Sequence, residues 1–281
     1  MAVGRAARKG DVPRKIGTSA IMWLLAVVYG FPGLWFVLSS FKPVGDLFSY
    51  PLTFFPKKWT VSGYTQAWSH FDVARYFMNT LIVAVAATLL TIVASAAAGY
   101  ALAKYNSWWL KVFAACILAT TMLPGETLLP SLFVVVRNLG LYNSLSGVVA
   151  PAVITATGTF MFRQFFVTIP GDLLEAARID GSSELRTFVR IMLPLARPII
   201  LTLAIFSFQW RWNDYLWPLI ILNDPKQFTL QIGVASIVGA QNVNWSVLLG
   251  ASVLSTIPLV AIYLVFQKYV MSSDINAGLK D

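Results

Sequence analysis

Residues 171–198 have the sequence GDLLEAARIDGSSELRTFVRIMLPLARP. Eight charged side chains, acidic and basic, lie in this stretch, although charged residues make up only 12% of the chain and hydrophobic residues 57%. The mean hydropathy of +0.69 indicates a membrane protein, so a segment this rich in charge is expected in the water outside the bilayer. The stretch therefore predicts a loop with apolar membrane spans on both sides of it.

Six windows of roughly 20 apolar residues, the length that crosses a bilayer as a helix, recur along the chain. Because irregular backbone cannot face lipid, the sequence predicts an all-α membrane protein with six transmembrane helices. Two prolines, Pro124 and Pro130, interrupt the third window. The predicted spans cover residues 18–41, 76–103, 109–136, 145–166, 199–222 and 245–269.

Lysine and arginine residues are distributed unevenly between the two sides of this predicted bundle. With both termini on one side, that side carries fourteen basic residues and the other side six. The positive-inside rule then places both termini, and the charged segment between spans four and five, in the cytoplasm. The basic residues behind the net charge of +9 are scattered over loops, so we expect no nucleic-acid partner.

The predicted organisation follows from these spans. It comprises a cytoplasmic N-terminal tail (1–17), a first transmembrane helix (18–41), an external loop (42–75), a core of five spans (76–267) that contains the charged loop 171–197, and a cytoplasmic C-terminal tail (268–281).

Cap and turn residues divide the charged segment into two short helices. Asp172, with Glu175 three residues later, is typical of a capping box, and Gly181 suits the left-handed residue that ends a helix. Either of the next two serines can cap a second helix, which should end near Pro194. Each helix has about two to three turns, so it needs a covering surface to be stable.

The second helix has two predicted faces. Its apolar stripe is Leu185, Phe188, Val189 and Met192, and its polar face is Glu184, Arg186, Thr187 and Arg190. Three interpretations of the helix pair remain open from the residues alone. It could lie on the membrane surface, pack on the cytoplasmic ends of its own spans, or form a knob that fits a groove on a cytoplasmic partner.

The spacing of the segment resembles a family signature. Glu175-Ala176-Ala177, Gly181, Ile191 and Leu193-Pro194 follow the pattern EAA-x3-G-x9-I-x-LP. This is similar to the cytoplasmic signature of permease subunits of binding-protein-dependent ABC importers. The sequences MFRQFF at 161–166 and WNDYLWP at 212–218 resemble the carbohydrate-import branch, which includes the smaller maltose-type permease and glycerol-3-phosphate permeases. The resemblance covers roughly residues 76–267.

The resemblance implies the type I ABC importer permease fold with a cytoplasmic coupling helix in the cell inner membrane. The implied partners are a second six-span permease subunit, two ATPase subunits and an external solute-binding protein. The implied solute is a sugar or a related compound, such as an oligosaccharide, a polyol or a glycerol phosphate. The residues implied to couple to the ATPase are Glu175, Ala176, Ala177, Asp180, Gly181, Ile191, Leu193 and Pro194.

The sequence has no G-x-x-x-x-G-K-[ST] phosphate-binding loop. We therefore expect that the chain is not an enzyme and binds no cofactor, and that ATP and magnesium are bound by the partner ATPase. One histidine and one cysteine do not make a zinc site with the usual ligands.

A self-sufficient secondary carrier or channel is the alternative function, although it leaves the signature unexplained. Such proteins carry ionisable residues within the membrane. Glu126, at the proline break of the third span, is a candidate for the solute path, or it helps to bend the span. Arg211 and Asp214 in the fifth span are candidates for a gate, or they neutralise each other on one helix face.

Aromatic residues gather around an amide in the fifth span. Such a group suits stacking on a sugar ring, so Asn213 and Tyr215 join Asp214 as candidates for the solute path. The alternative is that the tryptophans anchor the span at the membrane interface. The residues are Trp210, Trp212, Asn213, Tyr215 and Trp217.

The outer loop between spans five and six carries the last candidates. The resemblance to maltose-type permeases implies that its end reaches into the docked binding protein. The alternative is a plain connecting loop. The residues concerned are Gly239, Ala240, Gln241 and Asn242.

Overall fold

The computed structural model describes residues 11–277, with the side chains of residues 18–69 and 71–267. Parts of the predicted tails, residues 1–10 and 278–281, lie outside the described residues. Regular secondary structure in the described part is entirely helical. The first eight α-helices are α1 Asp11–Ser40, α2 Val44–Leu47, α3 Ser62–His70, α4 Val73–Lys104, α5 Trp108–Thr121, α6 Gly125–Asn138, α7 Leu145–Val149 and α8 Ala156–Val167.

The second half of the chain has shorter helices before a long last one. A π-helix, Phe188–Met192, joins α10 to α11, and 3-10 turns occupy Ala150–Ala152 and Pro225–Gln227. The remaining α-helices are α9 Asp172–Ile179, α10 Glu184–Thr187, α11 Leu193–Leu195, α12 Arg197–Trp212, α13 Leu216–Ile221, α14 Leu230–Val238 and α15 Trp245–Ala277.

Three described helices are each long and apolar enough to cross a membrane, namely α1 from Thr18 to Ser40, α4, and α15 from Trp245 to Gln267. Three bent helix pairs raise the number to six if each pair is one span. The bends are 116° between α5 and α6, 40° before α8, and 75° between the Glu184–Leu195 helix and α12. Five of the six predicted spans coincide with helices or bent pairs at these places.

The predicted fifth span, residues 199–222, differs because it is not one continuous helix. α12 ends at Trp212 and α13 begins at Leu216, with non-helical backbone between them. The side-chain amide of Asn213 donates to the carbonyl of Gln209 at 3.1 Å, and the Asp214 carboxylate accepts from the backbone N–H of Trp217. These local bonds replace helix bonds and end one helix while starting the next.

The break in the third span lies where the sequence predicts it. Pro124 is the residue before α6, and the backbone turns through 116° between α5 and α6. A residue that precedes a proline avoids helical geometry, which ends α5 before this point. Pro130 lies inside α6 and does not end it.

The described residues form two compact units, and the larger comprises residues 72–236 and 255–277. In this unit α4 packs against both α8 and α12. A Cβ atom added at Gly99 of α4 would lie 2.6 Å from the Cβ of Phe162 and 2.8 Å from the backbone N of Arg163. Only a glycine allows the two backbones to approach this closely, as small residues do between membrane helices.

Two buried apolar clusters lie within the larger unit. One joins α4, α8 and α12 to the charged segment through Phe162, Phe166, Leu174, Met192 and Leu203. The other joins α4, α6, α7, α13 and α14 through Val83, Val136, Val148, Trp217, Ile221, Leu222 and Ile232. The first cluster fixes the charged segment to the ends of three helices.

The smaller unit comprises residues 1–71 and 237–254, of which residues 11–71 and 237–254 are described. The ring of Phe41 lies 5.7 Å from that of Trp59 and 5.2 Å from that of Tyr64. Lys42 is only 2% exposed, and its ammonium donates to the carbonyl of Thr53 at 2.5 Å. In contrast, the side chains of residues 19–35 in α1 are exposed in the described structure, where they can face lipid or another chain.

We predict that Gly99→Ala lowers the free energy of unfolding by about 1–3 kcal/mol, because the new methyl group would overlap Phe162 and the backbone of α8. The measurement is the thermal unfolding midpoint of the purified protein in mild detergent. Gly30→Ala in α1 is the matched control, since nothing lies within 4 Å of its added methyl group. Equal midpoints for the two variants would contradict the proposed close packing.

Candidate functional site

The first helix of the charged segment, α9, ends in a Schellman motif. Gly181 has a φ of 72°, its N–H donates to the carbonyl of Arg178 at 3.0 Å, and the N–H of Ser182 donates to the carbonyl of Ala177 at 2.9 Å. This is the left-handed end expected from the glycine. The predicted capping box at the start is wrong, because Gly171 is the cap residue and no side chain accepts there. Asp172 is the first helical residue instead.

α9 has one face buried on the bundle and another exposed to solvent. Leu174 and Ala177 are buried against the bundle, whereas Glu175, Ala176 and Asp180 are exposed. The side chain of Glu175 has no hydrogen bond or ion pair within the described part of the chain. A carboxylate in the first turn is favoured by the helix dipole, and here it is free to meet another molecule.

The second helix starts at Ser183, whose hydroxyl accepts from the N–H of Arg186 at 3.4 Å. Ser183, rather than the serine before it, is therefore the cap. The helical backbone continues through Pro194 to Leu195, one residue beyond the predicted end.

The predicted apolar stripe of the second helix is wrong in half of its members. Met192 is fully buried and Phe188 packs on the first cluster, but Leu185 is 73% and Val189 49% exposed. Thr187, predicted on the polar face, is buried. The reason is the π-helix over residues 188–192, whose wider turn shifts the face that meets the bundle.

Glu184 connects the two helices of the segment to the end of α4. Its carboxylate accepts from Nη2 of Arg178 at 2.7 Å and from Nε of the same guanidinium at 3.1 Å. The hydroxyls of Tyr100 and Tyr105 donate to its other oxygen at 3.2 and 3.0 Å. One carboxylate therefore holds α9, α10 and the last turn of α4 together.

This network shifts the ionisation of its exposed members. Hydrogen bonds from Arg178, and then from Tyr105, lower the pKa of Glu184 below its ordinary value of 4.5. The same carboxylate raises the pKa of Arg178, while burial followed by Glu184 raises that of Tyr105. Because the pKa of Glu184 is lower in the folded chain than in the unfolded chain, its ionised carboxylate stabilises the fold at any pH above the unfolded pKa, including neutral pH. This stabilisation is lost as the pH falls below about 4.5 and through the folded pKa.

A second connection ties α4 to the start of the segment. The ammonium of Lys104, the last residue of α4, donates to the carbonyl of Ile169 at 2.7 Å. At the other end of the signature, Ile191 and Leu193 are partly buried, with Leu193 packed on the first cluster, while Pro194 is exposed. The segment thus has a base buried on the spans and an exposed helix α9.

Residues 90–272 match the family model described as "Binding-protein-dependent transport system inner membrane component". The chain belongs to this family. The resemblance inferred from the spacing of residues 175–194 is thereby confirmed, and the permease is a multi-pass membrane protein of a transport family rather than an enzyme.

Three relatives match the permease along most of its length. The arabinooligosaccharides transport system permease protein AraQ of Bacillus subtilis (strain 168) is 33% identical over 269 residues, covering 95% of this chain and 96% of the relative. The diacetylchitobiose uptake system permease protein NgcG of Streptomyces coelicolor is 32% identical, covering 96% and 91%. The sn-glycerol-3-phosphate transport system permease protein UgpE of Agrobacterium fabrum is 31% identical, covering 86% and 89%.

A solved structure has the same fold. The permease superposes with a TM-score of 0.82 and 23% identity on one chain of the crystal structure of a bacterial ABC transporter involved in the import of the acidic polysaccharide alginate. The match covers 95% of this chain and 99% of that chain. The predicted fold class, an all-α membrane protein with the type I ABC importer permease fold, is confirmed.

The candidates for a solute path lie on two separate elements of the permease. Glu126 is exposed in the first turn of α6, directly after the 116° bend, with no hydrogen bond in the described residues. Asn213, Asp214 and Tyr215 form the non-helical linker between α12 and α13. Asp214 lies 3.7 Å from Arg211, and both side chains are 20% exposed. A role for these residues in a solute path stays a prediction.

Two tryptophans of the predicted aromatic group are structural. Trp212 is fully buried, and its indole N–H donates to the carbonyl of Ser255 at 2.9 Å. Trp217 is buried too, with its indole N–H 3.3 Å from the carbonyl of Gly147. Neither ring is available for a sugar or for the membrane interface, so both interpretations are wrong for these two residues.

The predicted binding-protein loop lies at the turn between α14 and α15. Its four residues, Gly239, Ala240, Gln241 and Asn242, are non-helical and exposed. The outer loop before them is more structured than its small residues indicate, because α14 occupies residues 230–238.

Sequence reasoning did not find the role of Glu184. Its tyrosine partners lie 84 and 79 residues away in the chain, so no local spacing indicates the contact. Tyr100 and Tyr105 also look like ordinary aromatic residues at the end of an apolar span. The only available signal was an acidic residue at the start of α10.

We predict that Glu184→Ala loosens the segment, because Arg178 and two tyrosines lose their shared acceptor. Backbone amides of α9 should exchange with deuterium several-fold faster in detergent. Glu175→Ala, which removes an exposed carboxylate without described partners, is the control and should leave the exchange unchanged. If exchange in α9 became equally faster in both variants, or in neither, the Glu184 network would not be what holds α9 in place.

Proposed function

We propose that this permease is the membrane subunit of an ATP-driven importer that carries a sugar or related solute delivered by an external binding protein. The observation that supports it most is the exposed helix α9, which carries the EAA signature on a base buried at the ends of α4, α8 and α12. A short helix held this rigidly can pass a push from a cytoplasmic partner to the spans.

In this proposal α9 docks in a cleft of an ATPase subunit. The exposed Glu175 and Ala176 face the partner, and the Schellman turn at Gly181 lets the chain reverse close to its surface. Ile191 and Leu193 anchor the base, and Asp180 and Pro194 lie at its exposed edges. ATP closes the ATPase dimer, α9 moves with it, and the bundle changes from inward-open to outward-open.

The proposed assembly contains this permease, a second permease subunit, two ATPase subunits and the binding protein. ATP and magnesium are bound by the ATPase. Both termini lie in the cytoplasm, on the side richer in lysine and arginine. The turn at 239–242 then faces outward, where its exposed residues are free to enter the docked binding protein.

The proposed solute is a neutral sugar or short oligosaccharide. The relatives AraQ and NgcG are named for arabinooligosaccharides and diacetylchitobiose. UgpE is named for sn-glycerol-3-phosphate, and this makes a glycerol phosphate the second choice. The six basic residues predicted to face outward are spread over separate loops, which does not favour a phosphate site.

The test of coupling uses two substitutions in the exposed helix and its turn. Glu175→Lys reverses the charge at the proposed ATPase contact, and Gly181→Asp forces a side chain onto a residue with φ of 72°. We expect both variants to insert normally but to lose solute uptake in proteoliposomes by at least about tenfold, a cost of roughly 1.4 kcal/mol in coupling.

Two matched controls accompany these variants. Gly171→Asp places the same side chain at a glycine with φ of −63°, where nothing lies within 4 Å. Thr168→Lys adds the same lysine at an exposed position directly after α8 and outside the signature. Wild-type uptake by Glu175→Lys and Gly181→Asp would overturn the docking proposal. Tolerance of both changes with uptake that depends on anionic lipid would favour a membrane-surface helix pair.

Co-purification distinguishes the importer from a self-sufficient carrier. The tagged permease is expressed with the products of neighbouring genes and isolated in mild detergent. We expect a second permease and an ATPase to remain bound, after which the binding protein is screened against sugars by thermal shift. A permease that purifies alone and moves solute into liposomes without ATP would overturn the proposal in favour of the carrier.

A further inference from the structure

A cleft of about 270 Å³ opens between the end of α4, the start of α5 and the middle of α8. Lys104 is the last residue of α4, Lys111 lies in the first turn of α5, and Arg163 lies in α8. Three cations from three helices therefore line one cavity. The other lining residues are Leu102, Ala103, Tyr105, Asn106, Leu110 and Ala114.

No carboxylate lines this cleft. Among the described residues, neither Lys111 nor Arg163 has an ion pair or a side-chain hydrogen bond. Lys104 uses one of its three N–H donors on the carbonyl of Ile169. The neighbouring acid, Glu184, is already held by Arg178, so it does not neutralise the cleft. Three cations without a counter-charge favour an anionic ligand.

The position of the cleft selects the source of the anion. Trp108 and Trp109, the first residues of α5, are 76% and 58% exposed, as expected for rings at the headgroup level of a membrane. The cleft lies at the end of α4, an apolar helix long enough to cross a membrane. Basic pockets of this kind between membrane helices on the cytoplasmic side bind lipid headgroups.

We propose that the cleft between α4, α5 and α8 binds the phosphate of an anionic phospholipid of the cytoplasmic leaflet. Arg163 and Lys111 contact the phosphate from two sides, and Lys104 adds its free N–H groups. The acyl chains run over the exposed apolar side chains of α5. The site depends on the proposed orientation of the termini and not on the docking of α9 to an ATPase.

The test measures lipid retained by the full-length permease. The protein is reconstituted in nanodiscs of equal phosphatidylglycerol and phosphatidylcholine, transferred to mild detergent, and examined by native mass spectrometry. We expect phosphatidylglycerol to be retained in preference to phosphatidylcholine. Lys111→Gln and Arg163→Gln should each weaken retention on the order of fivefold, the effect of one basic residue at an anionic membrane surface.

Lys57→Gln is the matched control, because Lys57 is an exposed lysine of the predicted external loop. Lys111 is exposed too, so in nanodiscs of phosphatidylcholine alone its replacement should leave the unfolding midpoint unchanged even if Arg163→Gln lowers it. Equal retention by Lys111→Gln and Lys57→Gln would overturn the site. Lipid retention is measured on the permease alone, so it does not depend on whether an ATPase binds. Failure to bind an ATPase would count against the proposed function and not against the lipid site.

A second arm separates a lipid from a free anion. Wild-type permease in phosphatidylcholine nanodiscs is titrated with inorganic phosphate, and its unfolding midpoint is compared with that in nanodiscs containing phosphatidylglycerol. We expect phosphatidylglycerol to raise the midpoint and phosphate alone to leave it unchanged. An equal rise with inorganic phosphate would assign the cleft to a soluble anion and overturn the lipid proposal.

Discussion

The close approach of α4 to α8 is the contact on which the larger unit depends. Lipid tails are as apolar as the side chains of the spans, so burial of apolar area alone does not drive membrane helices together. Dense packing of small residues does, and Gly99 lets α4 meet the backbone of α8 at Phe162 and Arg163. The hydroxyl of Thr88, also on α4, donates to that of Ser207 on α12 at 3.3 Å, which adds a polar contact between two spans.

The charged segment gains its rigidity from this packing. Its helices are too short to be stable by themselves, and their buried residues Leu174 and Met192 complete the cluster that α4 and α8 begin. Glu184 then fastens the outer part of the segment with hydrogen bonds rather than with apolar area. These contacts hold the charged segment in a fixed orientation, which is what the proposed coupling between an ATPase and the spans would require.

The sequence was sufficient for features that depend on local chemistry. Apolar length predicted the spans, Pro124 predicted the break in the third one, and Gly181 predicted the left-handed end of α9. The break between α12 and α13 was not predicted, because hydropathy does not report hydrogen bonds between side chains and the backbone. The aromatic run before Asn213 has the hydropathy of a span, yet its continuation as a helix is prevented by bonds that Asn213 and Asp214 make locally.

The prediction of an apolar and a polar face for the second helix was wrong for a related reason. Assigning an apolar stripe assumes 3.6 residues per turn, and the π-helix from Phe188 to Met192 departs from that period where the helix meets the bundle. Periodicity therefore predicted that a helix exists but not which side is buried. Likewise, the motif predicted the candidate docking helix α9. The hydrogen bond between Glu184 and Tyr100 of α4 joins residues far apart in the chain, so it was found only in the structure.

The end of α4 is the place where these elements converge. Tyr105 donates to Glu184 on one side and lines the basic cleft on the other, and Lys104 joins the same cleft to the carbonyl before α9. A lipid phosphate bound there would use the N–H groups of Lys104 that the carbonyl of Ile169 leaves free. It would also fix the position of the tyrosine that holds Glu184. The proposed site would then link membrane composition to the charged segment through Lys104 and Tyr105, apart from the residues proposed to meet the ATPase.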